Sequence, residues 1–305
     1  MKNLAATFAL AIVSASALSA SALARAPTEA NVPYGPHPRQ KMNFWKCESD
    51  KPLGVKLIIH GGGWHKGHKP GQLRGKGPDD HHVAAIDYPL MRGKHAARQP
   101  LIVHSAARAV QFLRHKAKEW NIDPDRIVAT GISAGAASAL WLAFHDDMAD
   151  PDNEDPVLRQ SSRIAGAHGG WGQTTLDAPL LKKRIGMLTV KHVMVWKSVG
   201  AESPEELLEN WDKYKELSLE CSALTHVTKD DPPVYVEYTG GDPVPPTNMG
   251  NAIHNDTFGT ILKEKCDEVG TTCYLSFKKK KEVTPPMSPT AFLKGILCPE
   301  EAEGK

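Results

Sequence analysis

The chain alternates short apolar runs with longer amphipathic segments, and the two patterns predict different elements. Dense runs of β-branched and aromatic residues, bounded by glycine, proline or charged residues, are typical of buried strands. Such strands are predicted at Met42–Cys47, Val55–His60, Val83–Asp87, Arg126–Thr130, Ile164–Ala167, Pro233–Tyr238 and Cys273–Phe277.

Between these runs, apolar residues recur every three or four positions, which is the period of an amphipathic helix. A further helix starts at a capping box whose N-cap is Ser203. Because strands alternate with helices, we expect a mostly parallel sheet with helices on both faces. The other predicted helices are Pro100–Trp120, Ala136–Phe144, Asp256–Val269 and Pro289–Leu297.

One long segment, residues 171–231, does not follow this alternation. We expect it to be a cap or lid insertion over the active face of the sheet. Its large apolar side chains either line an apolar substrate site or pack in the core beneath the insertion, and the sequence does not separate the two roles. These side chains are Met187, Met194, Trp196 and Trp211.

The N-terminal segment has the pattern of an export signal. Lys2 supplies a positive charge, Leu4 to Leu18 is apolar or small throughout, and Ala-x-Ala cleavage sites follow up to Ala26. We therefore expect a signal peptide over residues 1–26, a mature domain over residues 27–305, and a secreted or periplasmic protein. A membrane anchor is the alternative, but the apolar run is short for a membrane span.

The composition of the chain limits the classes of binding partner that we expect. The chain has 305 residues and a formal net charge of +2, which favours neither a nucleic-acid partner nor an anionic membrane. Export would permit disulfides, but the five cysteines are an odd number, and their spacing matches no zinc site. For Cys266 and Cys273 we expect buried, apolar positions on a helix face and on the strand that follows it.

The strongest chemical signal is the sequence Gly131-Ile132-Ser133-Ala134-Gly135, which lies between a predicted strand and a predicted helix. A serine on such a sharp turn presents its Oγ outside the sheet, and the glycines on either side permit close packing. The N–H of Ala134 lies at a helix N-terminus, where unpaired N–H groups favour an anion. This pattern predicts a nucleophile elbow at Ser133.

A glycine loop follows the second predicted strand, with the sequence His60-Gly61-Gly62-Gly63-Trp64. Its bare N–H groups can approach a ligand oxygen closely, as in the His-Gly-Gly-Gly form of oxyanion loop. A flexible turn is the alternative. The buried strand before the loop and the elbow at Ser133 favour an oxyanion role for Gly62 and Gly63.

The third motif places an acid after a late strand, in Thr239-Gly240-Gly241-Asp242-Pro243. All three motifs follow the C-terminal ends of predicted strands, where open parallel sheets build their sites. The order of Ser133 before Asp242 fits hydrolases whose catalytic residues run serine, acid, histidine.

These motifs resemble those of α/β-hydrolase fold esterases of the hormone-sensitive-lipase and feruloyl/acetyl-esterase-like groups. The segments His37–Lys41, Ile122–Ile127 and Asp230–Val234 share the likeness, which extends from His37 to the final helix. The resemblance implies an α/β-hydrolase fold and a serine carboxylesterase that forms an acyl-enzyme on Ser133. It also implies an oxyanion hole of Gly62, Gly63 and Ala134, with Asp242 orienting a catalytic histidine.

The catalytic histidine departs from the family pattern. The family keeps it after the last strand, where this chain has Lys278-Lys279-Lys280-Lys281-Glu282, and no histidine follows His254. His254 keeps the expected order after Asp242, and His168, at another strand end, is a second candidate base. A catalytically impaired hydrolase-fold protein that binds a ligand is the competing function.

Nothing in the sequence indicates a cofactor, and we expect neither a cofactor nor a metal ion. The histidines near the glycine loop do not have the spacing of a metal site. We expect a small-molecule or carbohydrate ester as substrate, with acyl or acetyl groups on polysaccharide as one form of it. Peptidase activity, the oligomeric state and the cysteine pairing stay open. The loop histidines are His60, His65, His68, His81 and His82.

Overall fold

The computed structural model describes residues 24–73, 78, 80–279 and 285–298. The predicted signal peptide lies outside these ranges except for residues 24–26, and residues 280–282 of the lysine-rich segment also lie outside them.

Within the described ranges the chain forms an eight-stranded sheet with the strand order β1-β2-β4-β3-β5-β6-β7-β8. The first two strands are antiparallel to their neighbours, and β3 to β8 pair in parallel. This is the mostly parallel sheet that the alternation of patterns predicts. The strands are β1 Glu29–Pro33, β2 Lys41–Trp45, β3 Leu53–Ile59, β4 His82–Asp87, β5 Ile122–Ile132, β6 Gly166–Gly170, β7 Val234–Tyr238 and β8 Cys273–Phe277.

Helices cover both faces of the sheet. Gly169 of β6 faces Ala136, and Gly166, on the opposite face of the same strand, faces Ile296. In the described residues, no helix has the length and apolar character needed to cross a membrane. The helices are α1 Leu101–His115, α2 Ala117–Trp120, α3 Ala134–Phe144, α4 Ala178–Arg184, α5 Met187–Val190, α6 Val193–Trp196, α7 Pro204–Glu209, α8 Trp211–Glu220, α9 Ala223–His226, α10 Met249–Ile253, α11 Thr257–Val269 and α12 Pro289–Leu297.

Helix α3 is the centre of the core, because all of its residues are buried. Its small residues let it lie directly on the sheet: a Cβ on Gly135 would come 2.1 Å from the carbonyl oxygen of Ile59. This contact fixes the first turn of α3 against the end of β3, and the turn begins at Ser133.

Several elements differ from the sequence predictions, including β5, which extends over Ile122–Ile132 rather than Arg126–Thr130, and α10, which the sequence does not predict. The predicted helix Pro100–Trp120 breaks at Lys116 into α1 and α2. Strand β6 starts later than predicted, because its glycines pair with β5 and β7 despite their low strand propensity. Strand β1 was not predicted, since it is a polar and largely exposed edge strand. The expected burial of Cys266 and Cys273 is confirmed.

The segment between β6 and β7 is helical and contains α4 to α9. Of its four large apolar side chains, Met194 is fully buried, and Met187, Trp196 and Trp211 pack half-buried against the core. The function of this segment as a lid stays a prediction.

Candidate active site

Ser133 occupies a strained turn between β5 and α3. Its φ of 56° and ψ of −124° lie in a region that residues with a side chain rarely adopt. The turn is held at both ends, because the Ser133 N–H donates to the Gly170 carbonyl at 2.8 Å and its carbonyl accepts from Ala137 at 2.9 Å. The sequence predicts this elbow, and the structure confirms its strand-turn-helix context.

His254 is the histidine that contacts the serine. Its Nε2 lies 2.9 Å from the Ser133 Oγ, and its Nδ1 lies 3.2 Å from the carbonyl oxygen of Gly250. A carbonyl oxygen can only accept, so the Nδ1 must carry the proton, and the lone pair of Nε2 faces the serine hydroxyl. Helix α10, whose first turn is capped by the side chain of Asn248, delivers His254 at its C-terminal end.

His168, the other candidate base, points elsewhere. Its Nδ1 lies 3.1 Å from the Thr130 hydroxyl, and its Nε2 lies 2.9 Å from a carboxylate oxygen of Glu237. Both ring nitrogens are therefore used away from Ser133. The structure thus brings His254, and not His168, to the nucleophile.

The contacts of Asp242 correct one sequence-based expectation. The sequence predicts that Asp242 orients the catalytic histidine, but in the part of the chain that the structure describes the Nδ1 of His254 bonds to the Gly250 carbonyl and not to the Asp242 carboxylate. Asp242 instead accepts from the N–H of Asp256 at 3.1 Å, and the Asp256 carboxylate accepts from the N–H of Gly241 at 2.7 Å. The carboxylate ties the loop to α11, so its influence on the histidine is that of a nearby charge.

The electrostatics keep the histidine in its basic form. Burial lowers the pKa of His254 from its ordinary value of 6.5, while the Gly250 carbonyl and the negative charge of Asp242 oppose that shift. Burial and the neighbouring Asp256 raise the pKa of Asp242. Since the pKa of His254 lies below 6.5, its imidazole is neutral at pH 7 and free to accept a proton.

The glycine loop lies directly beside the elbow. A Cβ on Gly61 would come 3.6 Å from the Cβ of Ser133. Gly62 has a φ of 106°, and its carbonyl accepts from the N–H groups of His65 and Lys66, both at 3.0 Å. A Cβ there would come 2.0 Å from the Lys66 carbonyl oxygen. Only glycine fits this turn, which the sequence predicts as the oxyanion loop.

The helical segment after β6 adds a residue that sequence reasoning missed. The ring of His192 lies 3.7 Å from the Cβ position of Gly63, and Met194 lies 3.9 Å from it. His192 caps α6 by accepting from the N–H of Met194 at 3.2 Å. Burial and the nearby His254 lower the pKa of His192 to about 4. A histidine before a short apolar run is a weak signal in sequence, so its place beside Gly63 appears only in three dimensions.

A cavity of about 370 Å³ opens beside the pair formed by Ser133 and His254, called the dyad below. Trp171 lines it, with its indole N–H on the hydroxyl of Thr239 at 3.0 Å and the Lys278 ammonium 4.2 Å from its ring centre. Lys278, the first residue of the segment where the resemblance places the catalytic histidine, therefore puts a cation above an aromatic wall. The cavity is lined by Ile132, Trp171, Thr239, Asp242, Gly250, Asn251 and His254.

Three of the five loop histidines, His60, His81 and His82, have structural partners of their own. His60 stacks on Tyr88 at 4.2 Å between ring centres, and its Nδ1 donates to the Gly61 carbonyl at 2.7 Å. His81 bonds to the Asp80 carboxylate, and His82 accepts from the N–H of Cys47 at 3.0 Å. His60 therefore braces the glycine loop.

Comparison with known proteins places this geometry in a family. Residues 44–256 match the model of the BD-FAE family. A probable isoprenylcysteine alpha-carbonyl methylesterase of Arabidopsis thaliana is 30% identical over 48% of this chain and 32% of its own length. A probable carboxylic ester hydrolase of Mycobacterium tuberculosis is 25% identical over 72% of this chain and 49% of its own length. The chain thus spans less than half the length of either relative.

Solved structures share the architecture. The acetyl ester-xyloside bifunctional hydrolase of Caldicellulosiruptor lactoaceticus superimposes with a TM-score of 0.58 at 19% identity, over 86% of each chain. Together with the parallel sheet and the elbow at Ser133, this likeness identifies the α/β-hydrolase fold.

Proposed function

Since this chain belongs to the BD-FAE family, we propose that it is a serine esterase that hydrolyses carboxylic esters through an acyl-enzyme on Ser133. The observation that carries the proposal is the 2.9 Å contact between the Ser133 Oγ and the Nε2 of a neutral His254. Nucleophile and base are within hydrogen-bond reach without any rearrangement of the backbone.

In acylation, the Nε2 of His254 accepts the hydroxyl proton while the Ser133 Oγ attacks the ester carbonyl carbon. The N–H groups of Gly62, Gly63 and Ala134 stabilise the oxyanion that forms, and each such donor contributes about 2.7–4 kcal/mol in comparable sites. His254 then gives its proton to the departing alcohol. Water then attacks the acyl carbon while His254 accepts its proton; the bond from the Ser133 Oγ to the acyl group breaks, the acid leaves, and His254 returns the proton to Ser133.

Asp242 acts on this cycle through its charge. A negative carboxylate near His254 stabilises the imidazolium that forms in each transition state. The Gly250 carbonyl meanwhile holds the tautomer, a task that the triad carboxylate performs in the usual arrangement.

The competing function is a catalytically impaired hydrolase-fold protein that binds a ligand. The observation in its favour is that His254 is held by a carbonyl rather than by a carboxylate. The direct contact of His254 with Ser133 favours the esterase, because a binding protein needs no such contact.

For the substrate we propose a short acyl ester, acetyl above all, on a carbohydrate. The dyad opens on a cavity of about 370 Å³ that offers an indole, an amide and a hydroxyl as well as apolar surface. Such a mixture suits a polar alcohol better than a long acyl chain. The esterase from Caldicellulosiruptor lactoaceticus, whose name includes acetyl ester and xyloside hydrolysis, supports the same class.

The test is hydrolysis of p-nitrophenyl acetate, butyrate and octanoate, and acetate release from acetylated xylan. We expect the highest kcat/KM with acetate, and a loss on the order of 10⁶-fold in kcat for Ser133→Ala. Equal rates for wild type and Ser133→Ala would refute the esterase. A preference for octanoate would refute the short-acyl substrate and leave the esterase intact.

We further propose that the protein is exported and that residues 171–231 form a lid over the site. The lid is supported by the position of His192 and Met194 beside Gly63. For export, the support is the positive Lys2, the apolar run from Leu4 to Leu18 and the Ala-x-Ala sites up to Ala26, which predict removal of residues 1–26. The mass of the chain recovered from a secreting host tests this, and an uncleaved N-terminus would contradict it.

A further inference from the structure

A second cluster of titratable side chains lies at the other end of the helix that starts at Ser133. His145 is the C-cap of α3, roughly 18 Å along the helix axis from the serine. Glu220 ends α8 and His226 ends α9, so the cluster joins the core helix to the helical segment between β6 and β7. We propose that these three residues bind a divalent transition-metal ion of the zinc type.

The spacing of the donor atoms fits one ion. The Nε2 of His145 lies 3.0 Å from one Glu220 carboxylate oxygen, and the Nε2 of His226 lies 3.8 Å from the other. One donor atom from each residue lies within 4.8 Å of the other two. Tetrahedral zinc with nitrogen and oxygen ligands at about 2.0–2.2 Å separates its ligands by about 3.3–3.6 Å, which is the middle of this range.

The tautomer of His145 leaves its Nε2 available as a metal ligand. Its Nδ1 lies 2.8 Å from the Asp146 carbonyl oxygen and must carry a proton to bond there. The lone pair of Nε2 then faces the Glu220 carboxylate, and two acceptors at 3.0 Å need a cation or a proton between them. A ligating histidine whose other nitrogen donates to a backbone carbonyl is the usual arrangement at metal sites.

His226 can bind the ion if its Nε2 gives up its hydrogen bond to the Glu220 backbone carbonyl. Its Nε2 lies 2.7 Å from the carbonyl oxygen of Glu220, so it carries a proton while that bond is made. Metal binding would displace this proton. The Glu220 carbonyl would still accept from the indole N–H of Trp141 at 2.8 Å, so no buried acceptor would lose its last partner.

The surroundings support a rigid and accessible site. The rings of His145 and Trp141 are 4.3 Å apart, and those of His145 and His226 are 4.7 Å apart. The exposed fraction of the side chain is 17% for His145, 38% for Glu220 and 18% for His226. Solvent can therefore reach the site and supply the fourth ligand. The Arg163 guanidinium donates to the His145 carbonyl at 3.3 Å. Its positive charge is compensated by the Asp231 carboxylate, which lies 3.2 Å from the guanidinium.

An ion at this position would join α3 to α8 and α9. The expected effect is on the docking of the helical segment, because the site is far from the ester-cleaving dyad. The inference therefore stands independently of the proposed esterase, and its test does not depend on activity.

The experiment is a titration of the metal-free protein with Zn²⁺ by calorimetry, with Tm measured before and after. We expect one equivalent to bind and Tm to rise by several degrees, and we expect EDTA to reverse the rise. Co²⁺ in place of Zn²⁺ should give the visible absorption of a tetrahedral nitrogen–oxygen site.

Variants assign the ion to the cluster. His145→Ala and His226→Ala should each weaken Zn²⁺ binding at least about tenfold and abolish the rise in Tm. The matched control is His115→Ala, at an exposed histidine that ends α1. If His145→Ala fails to fold, Glu220→Gln replaces it, since that change keeps the side-chain volume. No binding by wild type, or equal binding by the His226 variant and the control, would overturn the site.

Discussion

In the mechanism we propose, a single proton controls Ser133, because His254 can activate the serine only while its Nε2 is unprotonated. The Gly250 carbonyl fixes this state through the Nδ1–H, at 3.2 Å. The arrangement separates two tasks that a triad carboxylate usually combines, namely orientation of the ring and stabilisation of its charged form. Here the backbone orients the ring, and Asp242 supplies the charge.

The effect of Asp242→Asn follows from that separation. Activity falls as pH drops through the pKa of His254, because the imidazolium cannot accept a proton. The negative charge of Asp242 raises that pKa, so its removal should move the acidic limb of the kcat/KM profile to lower pH. The fall in kcat should be smaller than the roughly 10⁴-fold seen where the carboxylate also fixes the tautomer. The measurement is a pH–rate profile, and a limb that moves to higher pH would contradict this role.

The sequence predicts the order of the site residues along the chain, but it does not predict which of their side chains are in contact. Ser133 follows from its glycine-flanked turn, and His254 follows from its place after Asp242. The missing bond between Asp242 and His254 could not be foreseen, because it depends on how the loop folds onto Asp256. His192 was missed because only the folding of a distant segment brings it beside Gly63.

Among the elements, the glycine loop between β3 and β4 has the least freedom to vary. Gly62 combines a positive φ with a Cβ position 2.0 Å from the Lys66 carbonyl oxygen. An added methyl group must displace the Lys66 carbonyl, and with it the N–H groups of Gly62 and Gly63 that we propose bind the oxyanion. The conformation of this loop and its chemical role are therefore inseparable.

Gly62→Ala should lower kcat by about 10²–10³-fold, the loss that follows removal of one oxyanion donor. The matched control is Gly71→Ala, because a Cβ there meets nothing within 4 Å. The measurement is kcat with p-nitrophenyl acetate, alongside circular dichroism to show that both variants fold. Similar kcat values for the two variants would remove the loop from the mechanism.

Strand and helix types were predictable from periodicity, whereas boundaries required tertiary contacts. Strand β6 forms around Gly166 and Gly169 because β5 and β7 supply the hydrogen bonds that glycine does not favour by itself. The break at Lys116 has no apolar or proline signal in sequence. Strand β1 is exposed, so no burial pattern marks it.

For the molecule as a whole, we expect the helical segment between β6 and β7 to link stability to substrate binding. Met194 is fully buried and lies 3.9 Å from the Cβ position of Gly63. The same side chain therefore packs in the core and borders the predicted oxyanion loop. The sequence leaves core packing and substrate lining as alternatives for Met194; its full burial supports core packing, and substrate lining stays a prediction.

Met194→Ala should lower the free energy of unfolding by about 2–5 kcal/mol, as expected for a buried methionine. It should also change KM, because the cavity it leaves adjoins the loop. The control is Met287→Ala, an exposed methionine that should change stability by no more than about 0.5 kcal/mol. Urea unfolding and KM for p-nitrophenyl butyrate measure both effects. A destabilised variant with an unchanged KM would refute the link to substrate binding.

In the proposed mechanism, His254 activates Ser133 although no histidine follows the last strand. The most direct test is covalent labelling with a fluorophosphonate, followed by mass spectrometry of the labelled peptide, for wild type, His254→Ala and His168→Ala. We expect label on Ser133, a labelling rate reduced at least about 10³-fold by His254→Ala, and little change for His168→Ala. Labelling of His254→Ala at the wild-type rate, or no label on wild type, would contradict this mechanism.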